Sequence, residues 1–516
     1  MQLSWQFLKL SATSLVGYAL GFLIQILLSR YFGTSSTVDA YWVAMTLVTL
    51  FGFYVHPVRE ALVSGFHECL RDAHHDASRY ISSAINFLLI FLLAASALLF
   101  LFPAFLSTLV VDADKQVLTS EVVRMLPIAA PLIPLVALTE IYNGILVSRG
   151  RIFFQDFGRI VGSFCVVLFL LLFSKSLGIL ALILAAIVGN ITLLIFQLKE
   201  SGKCGFTYHP RTKPSVDAGF VKMSGVLILS YLASQFYIIY ERKVFVSMQE
   251  GALSGLQYAV SINNVITAIV IGSMCNITWP KLYELLSNSN ETEVVSLIVN
   301  NLKNLLTLIC FILIYGYIYA EPIVYVIFYG GKFDLCSLNL TNMFLKSALL
   351  SLVPLSISSV LGRLYVSKRN TNFLFLVGVA SAVGGMMVLC YAQYTGSLKA
   401  ASYHIVVSST CGAIISLYGF YRLYFFDYSR RKTIIKSIIW TIKLSVVSIC
   451  LIILLHNMPV SVEINKFKLI IELMVRLMVA GFFGAVALLI VNDLSGLKRL
   501  SYNMLKKRTD NLRSLR

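Results

Sequence analysis

Stretches of about 20 mainly apolar residues, the length that spans a bilayer as a helix, recur from one end of this chain to the other. Inside a bilayer no water is available to pair a free N–H or C=O, so each crossing segment must close its own hydrogen bonds. The chain is therefore limited to an all-α polytopic membrane fold. Of its 516 residues, 58% are hydrophobic and 13% charged, against about 45–50% and about 25% in soluble domains. That balance excludes a soluble enzyme, a nucleic-acid-binding module and a disordered chain.

Fourteen apolar runs mark transmembrane helices, at 11–30, 39–64, 81–101, 122–148, 160–173, 179–198, 218–246, 255–280, 298–320, 341–362, 372–394, 400–421, 437–455 and 469–492. The first follows Lys9 without a small-residue cleavage site and reads as a retained span, not a signal peptide. The connecting loops are too short for a folded soluble domain. With the N-terminus inside, the cytoplasmic segments carry 26 Lys and Arg and the opposite loops 6. This bias places both termini in the cytoplasm and accounts for the net charge of +18 without a nucleic-acid partner.

The segment Ile145-Leu146-Val147-Ser148-Arg149 has an echo in Arg363-Leu364-Tyr365-Val366-Ser367-Lys368, and Ala40-Tyr41 after Gly33 has one in Gln257-Tyr258-Ala259 after Gly251. Six spans, an even number, separate the copies, so both halves share one topology, as in parallel transporter repeats. Chance matching of apolar helices is the competing reading. The expected organisation is a six-helix bundle with its cytoplasmic linker at 1–217, a second pseudo-symmetric bundle at 218–436, an additional C-terminal helix pair at 437–492, and a tail at 493–516. The tail sets Leu497, Leu500, Met504, Leu505, Leu512 and Leu515 against seven basic residues. It reads as an amphipathic helix on anionic membrane lipids.

No phosphate-loop motif, metal-ligand spacing or Ser/His/Asp arrangement is legible, and the nine cysteines are scattered without a CxxC. The chain is read as a transporter, not an enzyme, without a cofactor. Its work must come from a gradient, of Na+ or H+ as coupling cation, from the membrane potential or from the substrate itself. What remains informative is charge in apolar spans, where each such residue costs about 2.5–3.5 kcal/mol at the centre. Arg30, Arg59, Arg242 and Lys243 stand interleaved with Asp39, Glu60 and Glu241, and Glu140 lies with Asn143 in another span. Taken singly, a basic residue at a helix end is an interfacial anchor. Taken together, the four basic residues are candidates to bind a diphosphate. Asp39, Glu60, Glu140 and Glu241 are candidates for a coupling ion or for gating. Neighbours such as Arg59-Glu60 and Glu241-Arg242 point about 100° apart on a helix and call for partners on other spans or a solvated cavity.

Arg30-Tyr31-Phe32-Gly33 followed by Asp39-Ala40-Tyr41 resembles the first-loop pattern of the MurJ/MviN-like flippases of the MOP exporter superfamily. Glu241-Arg242, Glu250-Gly251-Ala252-Leu253-Ser254, Tyr258-Ala259 and Pro280 resemble their second-half segment. Gly331-Lys332-Phe333-Asp334 and Leu361-Gly362-Arg363-Leu364-Tyr365 follow in family order. The resemblance implies two six-helix bundles around a central cavity, an extra helix pair that holds a lipid tail, and alternating-access flipping of a polyprenyl-diphosphate-linked glycan in the bacterial inner membrane, by a monomer. Where lipid II flippases place cavity arginines, this chain has Tyr18, Ile24, Gly52 and Ser261, and Asn264 stands where an acidic residue is common. The cargo is then lipid II or another lipid-linked repeat unit. A cation-coupled MATE-type exporter is the alternative, and a membrane scaffold or integral-membrane enzyme is a third class.

Overall fold

The computed structural model describes residues 2–52, 55, 59, 77–112, 114–149, 151–213, 218–288, 290–368, 370–424, 448–449, 451–453, 455, 458 and 466–491. Among these the chain is helical, without a strand; a single bridge pairs Gly330 with Phe333. In chain order the helices are α1 (Gln2–Phe32), α2 (Ser36–Gly52), α3 (Ala77–Leu101), α4 (Pro103–Ser107), α5 (Gln116–Ala129), α6 (Leu132–Ser148), α7 (Ile152–Leu177), α8 (Leu180–Lys203), α9 (Ala218–Met248) and α10 (Ala252–Ile266). A π-helical turn at Thr267–Gly272 leads into α11 (Ser273–Ser287). Then come α12 (Glu291–Ile318), α13 (Ala320–Phe328), α14 (Leu335–Leu350), α15 (Leu352–Ser367), α16 (Thr371–Thr395), α17 (Leu398–Ser402), α18 (His404–Tyr424) and α19 (Lys466–Val491). Glu60 and the tail 493–516 lie outside the described residues, and the expected span 437–455 is described only at 448–449, 451–453 and 455.

Eight of the described helical runs are long and apolar enough to cross a membrane, or ten if each of two bent pairs is one span. The pair α5 and α6 bends by 48°. Pro127 sits inside α5 and Pro131 precedes α6, and neither offers the N–H that would carry the helix through. The pair α14 and α15 bends by 43° at Ser351. Apolar periodicity alone reads each pair as continuous, because the bend does not interrupt the hydrophobic run.

The chain packs into two compact units. One comprises Met1–Val265, Ile327–Ala348 and Gly378–Ser408; the other comprises Ile266–Val326, Leu349–Val377 and Ser409–Arg516. In the first unit α7 and α8 meet through glycines. A Cβ on Gly162 would stand 3.0 Å from the Gly189 carbonyl oxygen, and one on Gly158 would stand 2.8 Å from the Phe196 ring. Gly158 and Gly162 are four apart, so they share a helix face and let the backbones approach closely, as small residues do between membrane helices. The face of α2 carrying Val43, Ala44, Leu47 and Val48 is buried. In the second unit Phe311, Ile314 and Tyr319 of α12 pack with Leu451, Leu455, Leu469 and Leu473. The tyrosine hydroxyls find backbone acceptors there: Tyr315 donates to the Leu473 carbonyl at 2.8 Å, and Tyr319 to those of Leu455 and Met458, each at 3.1 Å.

Candidate functional site

Within the first unit, three connecting segments are tied together by polar contacts: 30–39, 249–258 and 330–337. Gly33 at φ +64° and Gly251 at φ +77° turn the chain sharply just before α2 and α10, a backbone conformation that a Cβ disfavours. The turns aim the N-terminus of each helix at a carboxylate from the other segment. Asp39, in the first turn of α2 and 2% exposed, accepts from the Gly251 N–H at 2.7 Å and the Ser254 N–H at 2.8 Å. Glu250 accepts from the Ser36 N–H at 3.1 Å. Each carboxylate thus satisfies amides that a helix start leaves unpaired and lies at the positive end of the helix dipole.

Further bonds reinforce the closure. The Tyr258 hydroxyl donates to the Gly33 carbonyl at 2.7 Å, and the Lys332 N–H to the Arg30 carbonyl at 2.9 Å. Gly331, at φ +63°, lies so close to the Arg30 carbonyl that a Cβ there would collide with it. Thr34 and Ser337 share a hydroxyl hydrogen bond of 2.7 Å, and Asp334 accepts from both the N–H and the hydroxyl of Ser337 at 2.8 Å. Glu250 and Asp334 lie in the loops, and both titrate below the usual carboxylate range. For Glu250 the cause is hydrogen bonding from the hydroxyl and then the N–H of Ser36; for Asp334 it is the N–H and then the hydroxyl of Ser337.

Three of the four basic candidates engage carboxylates. Arg59 Nη1 lies 2.7 Å from Glu140 Oε2 on α6, so the partner on another span that its neighbour could not supply is Glu140. Lys243 Nζ lies 2.9 Å from Asp112 Oδ1. Arg242 Nη1 lies 3.3 Å from Glu241 Oε2, so these adjacent residues do pair, contrary to the expectation from helix geometry; long side chains bridge the angle. Arg242 also donates from Nε to Thr46 Oγ1 of α2 at 3.3 Å, and Nη1 lies 2.6 Å from the Gln257 side-chain amide of α10, which accepts from it once that amide is turned so that its oxygen faces the guanidinium. Arg30 is exposed and contributes its backbone carbonyl to the closure. Glu60 is outside the described residues.

The sequence reading missed Asp112, Gln257 and His404. His404, fully buried, brings Nε2 to 2.6 Å from Glu241 Oε1 and Nδ1 to 2.7 Å from the Ala401 carbonyl oxygen. The available signal was a lone histidine in the apolar run 400–421. Asp112 and Gln257 carried none, since a carboxylate in a loop and an amide in a helix are ordinary there. No group of three or more His, Cys, Asp and Glu capable of holding a metal ion occurs among the described residues. In the second unit, the Arg363 guanidinium lies 3.9 Å from the centre of the Trp279 ring, a cation–π contact.

Comparison with known proteins bears on what this arrangement serves. The family model described as "Lipid II flippase MurJ" matches residues 28–487. A probable lipid II flippase MurJ of Borreliella burgdorferi is 24% identical over 254 residues, covering 48% of this chain and 50% of the relative; the alignment thus spans half the relative's length. One from Buchnera aphidicola subsp. Acyrthosiphon pisum is 23% identical over 363 residues, 67% of this chain and 70% of the relative. Among solved structures, a lipid II flippase MurJ in an inward closed conformation superposes with a TM-score of 0.77 at 18% identity, covering 93% of this chain and 98% of that one. An inward-facing multidrug resistance MATE transporter of the MOP superfamily gives 0.63 at 13% identity, covering 80% and 94%. The structural likenesses establish the fold, and the family match over most of the sequence bears out the resemblance read from its motifs. This multi-pass membrane protein belongs to the lipid II flippase MurJ family.

Proposed function

We propose that this protein flips a polyprenyl-diphosphate-linked saccharide, lipid II or a related repeat unit, across the bacterial inner membrane by alternating access. The observation that carries this reading, within the family, is the reciprocal capping of α2 and α10 by Asp39 and Glu250. A closure made of a few polar contacts, with a strong interaction at its centre, can open and re-form during a transport cycle. With both termini cytoplasmic, as the Lys and Arg bias supports, this closure faces outward and the substrate enters from inside.

Arg59, Arg242 and Lys243 are the diphosphate ligands in this reading, and Arg30 is a fourth on the outer side. The first three already hold carboxylates at 2.7 to 3.3 Å. An incoming diphosphate exchanges for Glu140, Glu241 and Asp112, so no cation is left bare in either state. Bidentate guanidinium–phosphate pairing gives the exchange its direction. The displaced carboxylates, with Asp39 and Glu60, are the groups that gate the cycle or bind a coupling cation. Fourteen spans in two pseudo-symmetric bundles with an added pair, acting as a monomer, complete the proposal. The repeat is supported by its turns: the positive-φ glycines Gly33 and Gly251, and again Gly178 and Gly396, have the same separation in sequence.

The test is rescue of lipid II export in cells depleted of their own flippase, with surface-exposed lipid II quantified. Rescue that is lost in both Arg59→Ala and Arg242→Ala, with protein present in the membrane, is the expected result. Failure of the wild-type chain to rescue would turn the search to other lipid-linked glycans. Extrusion of a cationic dye instead would favour the MATE-type reading.

A further inference from the structure

His404 is flanked by two hydrogen-bond acceptors. The Ala401 carbonyl, 2.7 Å from Nδ1, has no proton to give, so Nδ1 must carry one. On the other side, Nε2 and Glu241 Oε1 stand 2.6 Å apart. A neutral imidazole with Nδ1 protonated presents a lone pair at Nε2, and an ionised carboxylate presents only lone pairs. At 2.6 Å those would repel. The geometry requires one proton in that gap, either on the ring, as imidazolium with carboxylate, or on Glu241, as imidazole with carboxylic acid. In both cases the pair holds one proton more than neutral histidine with ionised glutamate.

The surroundings suit a proton better than a metal ion. Glu241 has one oxygen on His404 and the other 3.3 Å from Arg242 Nη1. Both oxygens therefore face nitrogen donors, whereas alkali and alkaline-earth cations want shells of oxygen ligands. Among the described residues, the other titratable groups turned toward the pair come from α9, the helix of Glu241: Arg242, and Tyr237, whose ring centre lies 6.1 Å from that of His404. Tyr240 is directed to Cys390 and Gln393 of α16, and Lys243 to Asp112. From α2 and α10 the facing groups are the neutral Thr46 and Gln257, both on Arg242. Phe245 closes one side of the imidazole at 5.2 Å between ring centres.

We propose that Glu241 and His404 bind a single exchangeable proton, and that this proton is the coupling ion that holds α2 against α10. The proposal rests on reading the Asp39 closure as the outer gate. The link is Arg242, which lies between the proton site and both helices of the closure. While the proton is in place, Glu241 is satisfied by His404, and Arg242 is shared with Thr46 and Gln257. Loss of the proton leaves Glu241 a full carboxylate facing a lone pair, with Arg242 as its remaining strong donor. The guanidinium is drawn to Glu241 and away from Thr46 and Gln257, and α2 and α10 lose a common tether. Uptake of the proton from outside therefore favours re-closure after substrate release, and its discharge frees the closure for the next opening.

The experiment is hydrogen–deuterium exchange of the full-length chain in lipid nanodiscs, read on peptides covering 249–258, which contain the Gly251 and Ser254 amides held by Asp39. Exchange is followed from about pH 6 to about pH 9, corrected for intrinsic rate, in Na+ and in K+ buffers. In the wild type, protection falls as pH rises, approaching about tenfold per pH unit for one linked proton, and equally in both salts. Glu241→Gln, which supplies a permanent donor to His404, keeps protection at every pH; His404→Ala has low protection at every pH. Protection that does not change with pH in the wild type overturns the proposal without recourse to variants. So does a closure that tightens with Na+ at constant pH, or a pH response surviving in His404→Ala. Asp39→Asn is the separate control: if it leaves exchange of this segment unchanged, the gate reading itself fails.

Discussion

Asp39 and Glu250 each cap the helix that the other one leads: Asp39 of α2 holds the Gly251 and Ser254 amides at the start of α10, and Glu250, just before α10, holds the Ser36 amide at the start of α2. The two ends of this relationship are unequal. Asp39 is buried and accepts two bonds, whereas Glu250 is exposed and accepts one.

Asp39→Ala leaves two amides without their acceptor. An unsatisfied buried donor costs about 1–3 kcal/mol, so a loss of about 2–6 kcal/mol is expected at the closure, with faster exchange at 249–258 and failure to rescue lipid II export. Asp39→Asn keeps the shape and one acceptor but loses the charge, and falls between. Wild-type rescue by Asp39→Ala at normal membrane levels would show that the closure is dispensable.

Gly33→Ala and Gly251→Ala force a side chain into the left-handed region, at a cost of about 1–2 kcal/mol each. At Gly251 the new Cβ would also stand 2.9 Å from the Thr34 carbonyl oxygen. The expected result is a lower melting temperature in detergent for both. Gly178→Ala, at φ +59° and ψ −142° with open space around it, should show a backbone cost alone, since no neighbour meets the new Cβ.

The depressed carboxyls of Glu250 and Asp334 predict an acid limb in stability. A carboxyl that titrates lower in the folded chain than in the unfolded one contributes in full above its unfolded value, about 4. That contribution fades as pH falls through the lower folded value. These two groups therefore leave stability flat from neutral pH to about pH 5 and reduce it below about pH 4. Melting curves from neutral pH to below about pH 4 for Glu250→Gln and Asp334→Asn should show a shallower acid fall than wild type; an identical fall would assign it to other groups.

The Arg59–Glu140 pair separates structure from transport. Its side chains are 30% and 21% exposed, and a partly solvated pair contributes about 0–1 kcal/mol. Arg59→Ala should melt close to wild type yet lose flipping. Glu140→Gln should retain binding of a diphosphate-bearing lipid, measured by native mass spectrometry, because the guanidinium remains. Equal loss of that binding in both variants would make the pair a structural tie and remove Arg59 from the diphosphate ligands.

The helical class and the many membrane-length runs were written in sequence order, as was the family pattern from Arg30 to Tyr365. Hydrophobic transfer adds up over about 20 consecutive residues, so local composition determines which segments can lie in a bilayer. The same local sum also marks a charge as costly, which is how Asp39, Arg59, Glu140, Glu241, Arg242 and Lys243 stood out. It cannot say what each charge meets. Glu140 answers Arg59 from 81 residues away and His404 answers Glu241 from 163 residues away; which helix faces which is decided by packing, as where Gly162 admits the backbone of α8 at Gly189. The bends at Ser351 and around Pro131 were hidden for a related reason, since hydropathy does not register a change of direction. Sequence alone therefore determined a helical membrane protein of this family and the residues too costly to be idle. Only the tertiary structure decided their partners, because a buried charge is stabilised by whatever stands within about 3 Å, and that distance carries no trace of separation along the chain.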